Sequence, residues 1–127
     1  LMVPKLRNVD QMSIQKIGEE LKNTSQLCRE LKIDKKEFFG GSMTISSLGG
    51  IGGTHFTPII NPPEVAILGV GRTFDRLVKE KNQIVSKKIL PISLSYDHRL
   101  IDGAEGARFC VYLGKCLGKD FAFKLAV

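Results

Sequence analysis

One histidine stands where a general base would be useful. His98 opens the run His98-Arg99-Leu100-Ile101-Asp102-Gly103, directly after an alternating strand-like segment and directly before a helical one. A side chain at a strand end is aimed by a rigid element, and catalytic groups are often placed there. With an unperturbed pKa near ~6.5, an imidazole accepts and returns protons close to neutral pH. Asp102, four residues on, would hold local structure by pairing with a cation. The same residues also fit roles without chemistry: Asp102 stands where a helix N-cap would stand, and a single histidine is often structural. His55, in a glycine-rich stretch, reads as a surface or interface residue.

The elements that must carry these groups are partly visible. Leu1 to Pro4 reads as the end of a strand that needs a partner. From Ser13 to Leu31 the apolar positions Ile14, Ile17, Leu21, Cys28 and Leu31 follow helical spacing, with Ser13 as N-cap. Asp34-Lys35-Lys36-Glu37 has capping-box spacing and opens a short helical turn that ends near Phe39, before Gly40-Gly41. Met43 to Ser47 reads as a strand. Leu48-Gly49-Gly50-Ile51-Gly52-Gly53-Thr54 holds four glycines in seven residues, so its backbone enters special dihedral regions or approaches another group closely. It lacks the lysine and hydroxyl residue of a phosphate-binding loop.

Pro58, Pro62 and Pro63 keep the next segment extended. Val65 to Val70 is an unbroken apolar run that suits a buried strand. Phe74 to Ser86 reads as a weaker edge segment. Ile89 to Tyr96 alternates, with Leu90, Ile92, Leu94 and Tyr96 on one side and Ser93 and Ser95 on the other. A helix follows Asp102-Gly103 with Ala107, Cys110, Val111, Gly114 and Leu117 as its buried stripe. The apolar tail, Phe121 to Val127, is expected to dock. The fold class is α/β, one mixed sheet flanked by helices.

Bulk properties narrow the function classes. The chain has 127 residues, 43% apolar and 25% charged, the balance of a single globular domain. No stretch is long and apolar enough for a membrane span, and no signal peptide is legible at Leu1. The first residue is not Met, which reads as a processed or excised piece. Cys28, Cys110 and Cys116 have no zinc-site or disulfide spacing, so no metal and a reducing compartment are expected. The net charge of +6 is scattered over the surface without interleaved aromatic residues. That argues against nucleic acid and suits a solvated surface or an anionic ligand such as coenzyme A equally.

Three segments together resemble the dihydrolipoamide acyltransferases of 2-oxoacid dehydrogenase complexes: Met43 to Thr54, Asn61 to Val70, and Ser93 to Ala104. They occur in the family's order and at its spacing. Thr44-Ile45-Ser46-Ser47-Leu48-Gly49 and Ser93-Leu94-Ser95-Tyr96-Asp97-His98-Arg99 look most like the acetyl-transferring members of pyruvate dehydrogenase complexes. The resemblance implies the C-terminal half of a chloramphenicol-acetyltransferase-like fold, with lipoyl and subunit-binding domains elsewhere. It implies acetyl transfer between a lipoyl thioester and coenzyme A, with His98 as base, Ser46 as oxyanion donor and Asp102 as an architectural residue. Ser46, Leu68 and Gly69 would line the coenzyme A and lipoamide channel.

Partners implied are further copies of the chain in a trimer-based core, the lipoyl domain, and the other components of the complex. The compartment would be the cytoplasm of a bacterium or the mitochondrial matrix. In the family the partner of Asp102 is an arginine in the N-terminal half of the domain. The 127 residues alone are therefore expected to fold but to turn over little substrate. A non-catalytic assembly role, or transfer of succinyl or branched-chain acyl groups, stands as the alternative.

Overall fold

A computed structural model describes residues 1–118 and Phe121. The chain divides into two compact units, Leu1–Gly41 with Lys119–Val127, and Ser42–Gly118.

In the first unit, helix α1 spans Ile14–Arg29. Its start is as the sequence suggests: the Ser13 hydroxyl accepts from the Lys16 N–H at 3.2 Å. Its inward positions match the expected ones in part, at Ile17 and Cys28. Thr24 is buried and Ile17, Leu27 and Cys28 are half-buried, whereas Ile14, Leu21 and Leu31 are exposed. The helix ends by a paired closure, Leu31 N–H to the Cys28 carbonyl and Lys32 N–H to the Leu27 carbonyl. This closure demands a left-handed residue, and Leu31 supplies it with φ +55. The expected turn after Asp34 is a 3-10 helix, Lys35–Phe38, and the Asp34 carboxylate accepts from the Lys36 N–H. Glu37 does not complete a capping box; its carboxylate takes Arg7 at 3.0 Å.

Leu1–Pro4 is not a strand, a correction to the sequence reading. The Lys5 N–H bonded to the Glu37 carbonyl ties the chain down just after it, and Pro4 has no N–H to build a ladder. The apolar tail expected to dock lies, apart from Phe121, outside the described residues.

The second unit holds five strands and one helix. Strands β1 (Thr44–Ser47), β2 (Ala66–Val70) and β5 (Ile92–Tyr96) form one sheet in the order β1-β2-β5. β1 runs parallel to β2, and β5 runs antiparallel to it. The registers align Ser46 with Gly69 and Gly69 with Ser93. β2 is the interior strand, and its successive residues Ala66 to Gly69 are all buried, so both of its faces are covered, as its unbroken apolar run requires. Ala66, Ile67 and Leu68, at 8%, 5% and 7% exposure, are buried, as are Gly69, Pro58 and Pro91.

Strands β3 (Phe74–Glu80) and β4 (Gln83–Ile89) form a separate antiparallel hairpin. The sequence reading took 74–86 as one edge segment, and the structure replaces it with two paired strands. The turn is Lys81-Asn82, both with positive φ (+44 and +65), the geometry of a tight hairpin usually built on Asn-Gly. Lysine gives no hint of such a turn. Ile89 ends β4, and Pro91, which cannot donate, separates it from β5.

Helix α2 spans Gly103–Cys116. Its inward side is Gly106, Cys110, Leu113 and Cys116, rotated by one position from the expected stripe. Ala107, Val111, Gly114 and Leu117 are exposed. The three cysteines are free and half-buried.

Leu31 generates a stability prediction. A left-handed non-glycine residue costs ~1–2 kcal/mol, and glycine's extra freedom in the unfolded chain costs back ~0.4–1. The Leu31 side chain is 79% exposed, so little packing is lost on its removal. Leu31→Gly is expected to raise stability by about 0.5–1 kcal/mol, read as a higher urea midpoint at unchanged slope.

Candidate active site

The segment that carries His98 is a tight turn between β5 and α2. It is anchored at one end by the Asp97 N–H bonded to the Val65 carbonyl at 2.8 Å. The Asp97 carbonyl then accepts from both Leu100 and Ile101 at 3.0 Å, which closes the turn. Asp97 also fixes the turn through its side chain. Its carboxylate accepts from the Arg99 N–H at 3.0 Å and from the Arg99 guanidinium at 2.6–3.1 Å. These bonds hold the Asp97 carboxyl well below the usual carboxylate range, at about 2, with the Arg99 side chain as the main cause.

Asp102 closes the other end. Its carboxylate accepts from the Glu105 N–H at 2.7 Å, and its carbonyl accepts from Gly106 at 3.1 Å. It is the N-cap of α2, the structural role the sequence allowed. Among the described residues no cation pairs with it. Between these anchors His98 is exposed, with its ring 5.7 Å from that of Tyr96 and tilted by 38°.

Ser46 sits on β1, half-buried, while Ile45 and Ser47 on either side are exposed. Among the described residues its hydroxyl has no hydrogen-bond partner. Thr44, on the same face of the strand, donates to the Glu64 carboxylate at 2.5 Å. The glycine-rich loop then folds back over the end of β2. Leu48 donates to the Val70 carbonyl, and Arg72 donates to the Gly53 carbonyl. Gly71 is packed so closely beneath the Thr54 backbone that no side chain fits, and Gly52 and Gly53 take φ +142 and +88. The glycines thus bring the loop onto Gly71, the close backbone approach the sequence called for. His55 is exposed in this region.

Ser46 and His98 are not brought together within one chain. β5 runs against β1 and β2, so its C-terminal end lies beside their N-terminal ends. Ser46 is level with Ser93, three residues before Tyr96 and two strands away. Strand rise and spacing put Ser46 roughly 14 Å from Tyr96, with His98 farther still. Leu68 and Gly69 are buried, and Phe56 and Pro58 cover the open side of Gly69. Grooves follow α1 at Leu21 and Arg29 and α2 at Val111 and Tyr112, and neither includes Ser46 or His98.

Residues 1–122 match the family model of the 2-oxoacid dehydrogenases acyltransferase (catalytic domain). The chain belongs to this acyltransferase family. It is 50% identical over 117 residues to the acetyltransferase component of the pyruvate dehydrogenase complex of Haemophilus influenzae, and 46% over 121 residues to that of Cupriavidus necator. These alignments cover 92% and 95% of the chain but 21% and 22% of the two relatives.

Among solved acyltransferase structures, the Azotobacter vinelandii dihydrolipoamide acetyltransferase superposes with a TM-score of 0.90 at 46% identity. The cubic core of the pyruvate dehydrogenase multienzyme complex gives 0.90 at 45%. Both matches cover 95% of this chain and 50% of the other, so the chain spans about half of each solved acyltransferase chain. The α/β mixed sheet with flanking helices is the fold of the family's catalytic domain.

Tyr96, Asp97 and Arg99 stand in the sequence as strand and motif positions, and neither the ring contact nor the ion pair is visible there. The pair yields a test. Arg99→Gln is expected to raise the Asp97 pKa from about 2 toward the ordinary carboxylate value near ~3.9, followed by carboxyl carbon NMR during an acid titration. Because the folded value is the depressed one, the pair stabilises the fold fully above ~3.9, and that contribution fades as pH falls toward about 2. An Asp97 that still titrates near 2 in the variant would exclude Arg99 as the cause.

Proposed function

We propose that the chain supplies the histidine and the serine for acetyl transfer between coenzyme A and a lipoyl thioester in a pyruvate dehydrogenase complex. One observation carries the assignment. The Azotobacter protein was studied for the role of a serine, a histidine and an asparagine in its catalytic mechanism, with the serine and histidine 52 positions apart and the asparagine four positions after the histidine. Ser46 and His98 have the same separation, and Asp102 stands at the asparagine's place.

The chemistry follows from the side chains. His98 takes the proton from the attacking thiol, and the thiolate forms a bond to the thioester carbonyl carbon. The carbonyl oxygen becomes an oxyanion, to which the Ser46 hydroxyl donates. Collapse breaks the original carbon–sulfur bond, and the departing thiolate takes the proton back from the imidazolium. A positioned base contributes ~10²–10⁴-fold and an oxyanion donor ~10²–10³-fold. The exposure of His98 suits a base that meets a thiol arriving from outside the turn.

The separation of Ser46 and His98 within a chain implies that a working site takes them from two copies. Coenzyme A and the lipoyl group then enter where the copies meet, with the rest of the catalytic domain in place. Mixing tests this. In assembled catalytic domains, His98→Ala and Ser46→Ala should each lower turnover by ~10²-fold or more. Co-assembled in equal amounts, they should recover about a quarter of wild-type turnover, because that share of shared sites receives both intact residues. Mixtures as inactive as the separate variants would overturn the shared site.

Asp102 acts through the α2 cap. Asn caps as well as Asp, whereas Ala costs ~0.5–2 kcal/mol. Asp102→Asn should leave stability and turnover near wild type, and Asp102→Ala should lower the denaturation midpoint. A turnover collapse in Asp102→Asn would instead mean that the charge itself is required.

A further inference from the structure

The Tyr96 ring contacts helix α2 and also neighbours the His98 imidazole. A Cβ added at Gly106 would lie 2.8 Å from Tyr96 Cε1, closer than real Cβ atoms pack, and 3.2 Å from its Cζ. A Cβ at Gly103 would lie 3.8 Å from the Tyr96 hydroxyl. The ring therefore lies across the first turn of α2, over two glycines. Glycine is the poorest helix former after proline, so its use here needs a packing reason, and the tyrosine ring supplies one. Gly106 is buried although Gly103, Ala104, Glu105 and Ala107 around it are exposed. The Tyr96 and His98 rings lie 5.7 Å apart between centroids, tilted by 38°. The backbone of Tyr96 is fixed by its register with Ala66 at the start of β2.

We infer that Tyr96 is a positioning residue for His98: held by β2 and by the glycine face of α2, its ring sets the direction in which the imidazole points. The docking of α2 on β5 and the aim of the base then become one variable. The catalytic consequence rests on His98 being the base, whereas the contact itself does not.

Two measurements separate these. The chain has two histidines, so NMR of the imidazole carbon-bound protons resolves His98 with His55 as internal control. Tyr96→Phe keeps the ring and should leave the His98 signals in place. Tyr96→Leu removes the ring current and should move the His98 signals while His55 stays. Gly106→Ala pushes the ring and should move them too, and Tyr96→Leu carries the test if that variant does not fold.

In assembled catalytic domains, Tyr96→Leu should lower kcat by ~10²-fold, the scale of a misplacement of about 1 Å. The KM for coenzyme A should hold, and Tyr96→Phe should restore kcat. Unmoved His98 signals in Tyr96→Leu overturn the positioning. So does full turnover in Tyr96→Leu while His98→Ala is inactive. Moved signals with full turnover in both Tyr96→Leu and His98→Ala keep the contact and overturn the role of His98 as base.

Discussion

The pairing of β2 with a parallel neighbour on one side and an antiparallel neighbour on the other decides where every candidate group lies. A strand covered on both faces must be apolar or small throughout, and Ala66, Ile67, Leu68 and Gly69 meet that demand. The parallel partner brings Ser46 to the C-terminal end of β2, and the antiparallel partner carries the His98 turn away to its N-terminal end. No side-chain rotation closes that distance. A sheet of this connectivity keeps Ser46 and the His98 turn at opposite ends of β2.

Among the described residues the buried aliphatic side chains are Ala66, Ile67 and Leu68 of one strand, joined by Pro58 and Pro91, and large apolar side chains such as Ile45, Ile59 and Tyr112 remain exposed. Precise backbone approaches do much of the remaining work. Thr54 lies against Gly71, Phe56 against Gly69, and Tyr96 against Gly106. Each is a place where the absence of a Cβ lets one segment sit directly on another. Loss of such a fit costs on the order of 1–3 kcal/mol, which is large beside the stability of a small domain.

Much of this was legible in residue order. The 3.6-residue period and Ser13 gave α1, the apolar run gave β2, and Asp102-Gly103 gave the start of α2. What was illegible has physical causes. The Lys81-Asn82 turn uses left-handed backbone at a lysine, which carries no compositional signal, so the hairpin read as one strand. The inward stripe of α2 was misread by one position because the residue that docks is Gly106, whose contribution is a missing side chain. Apolar periodicity cannot register an absence. Ser46, His98 and Asp102 stand out in the sequence by type and spacing, but the placing of Ser46 and His98 at opposite ends of β2 follows from strand direction, which the sequence does not state.

The β3–β4 hairpin stands apart from the three-stranded sheet, and its outer face exposes Leu77 and Ile84 at 72% and 74%. Its ion pairs, Lys88 with Asp75 and Lys87 with Glu80, are at the surface, where such pairs contribute little. An isolated two-stranded ribbon is marginal by itself, so its amides should open well before those of β2. That independence makes the Lys81-Asn82 tip a natural graft point. A tag or reporter loop inserted there would lengthen a turn without disturbing the register that aligns Ser46, Gly69 and Ser93.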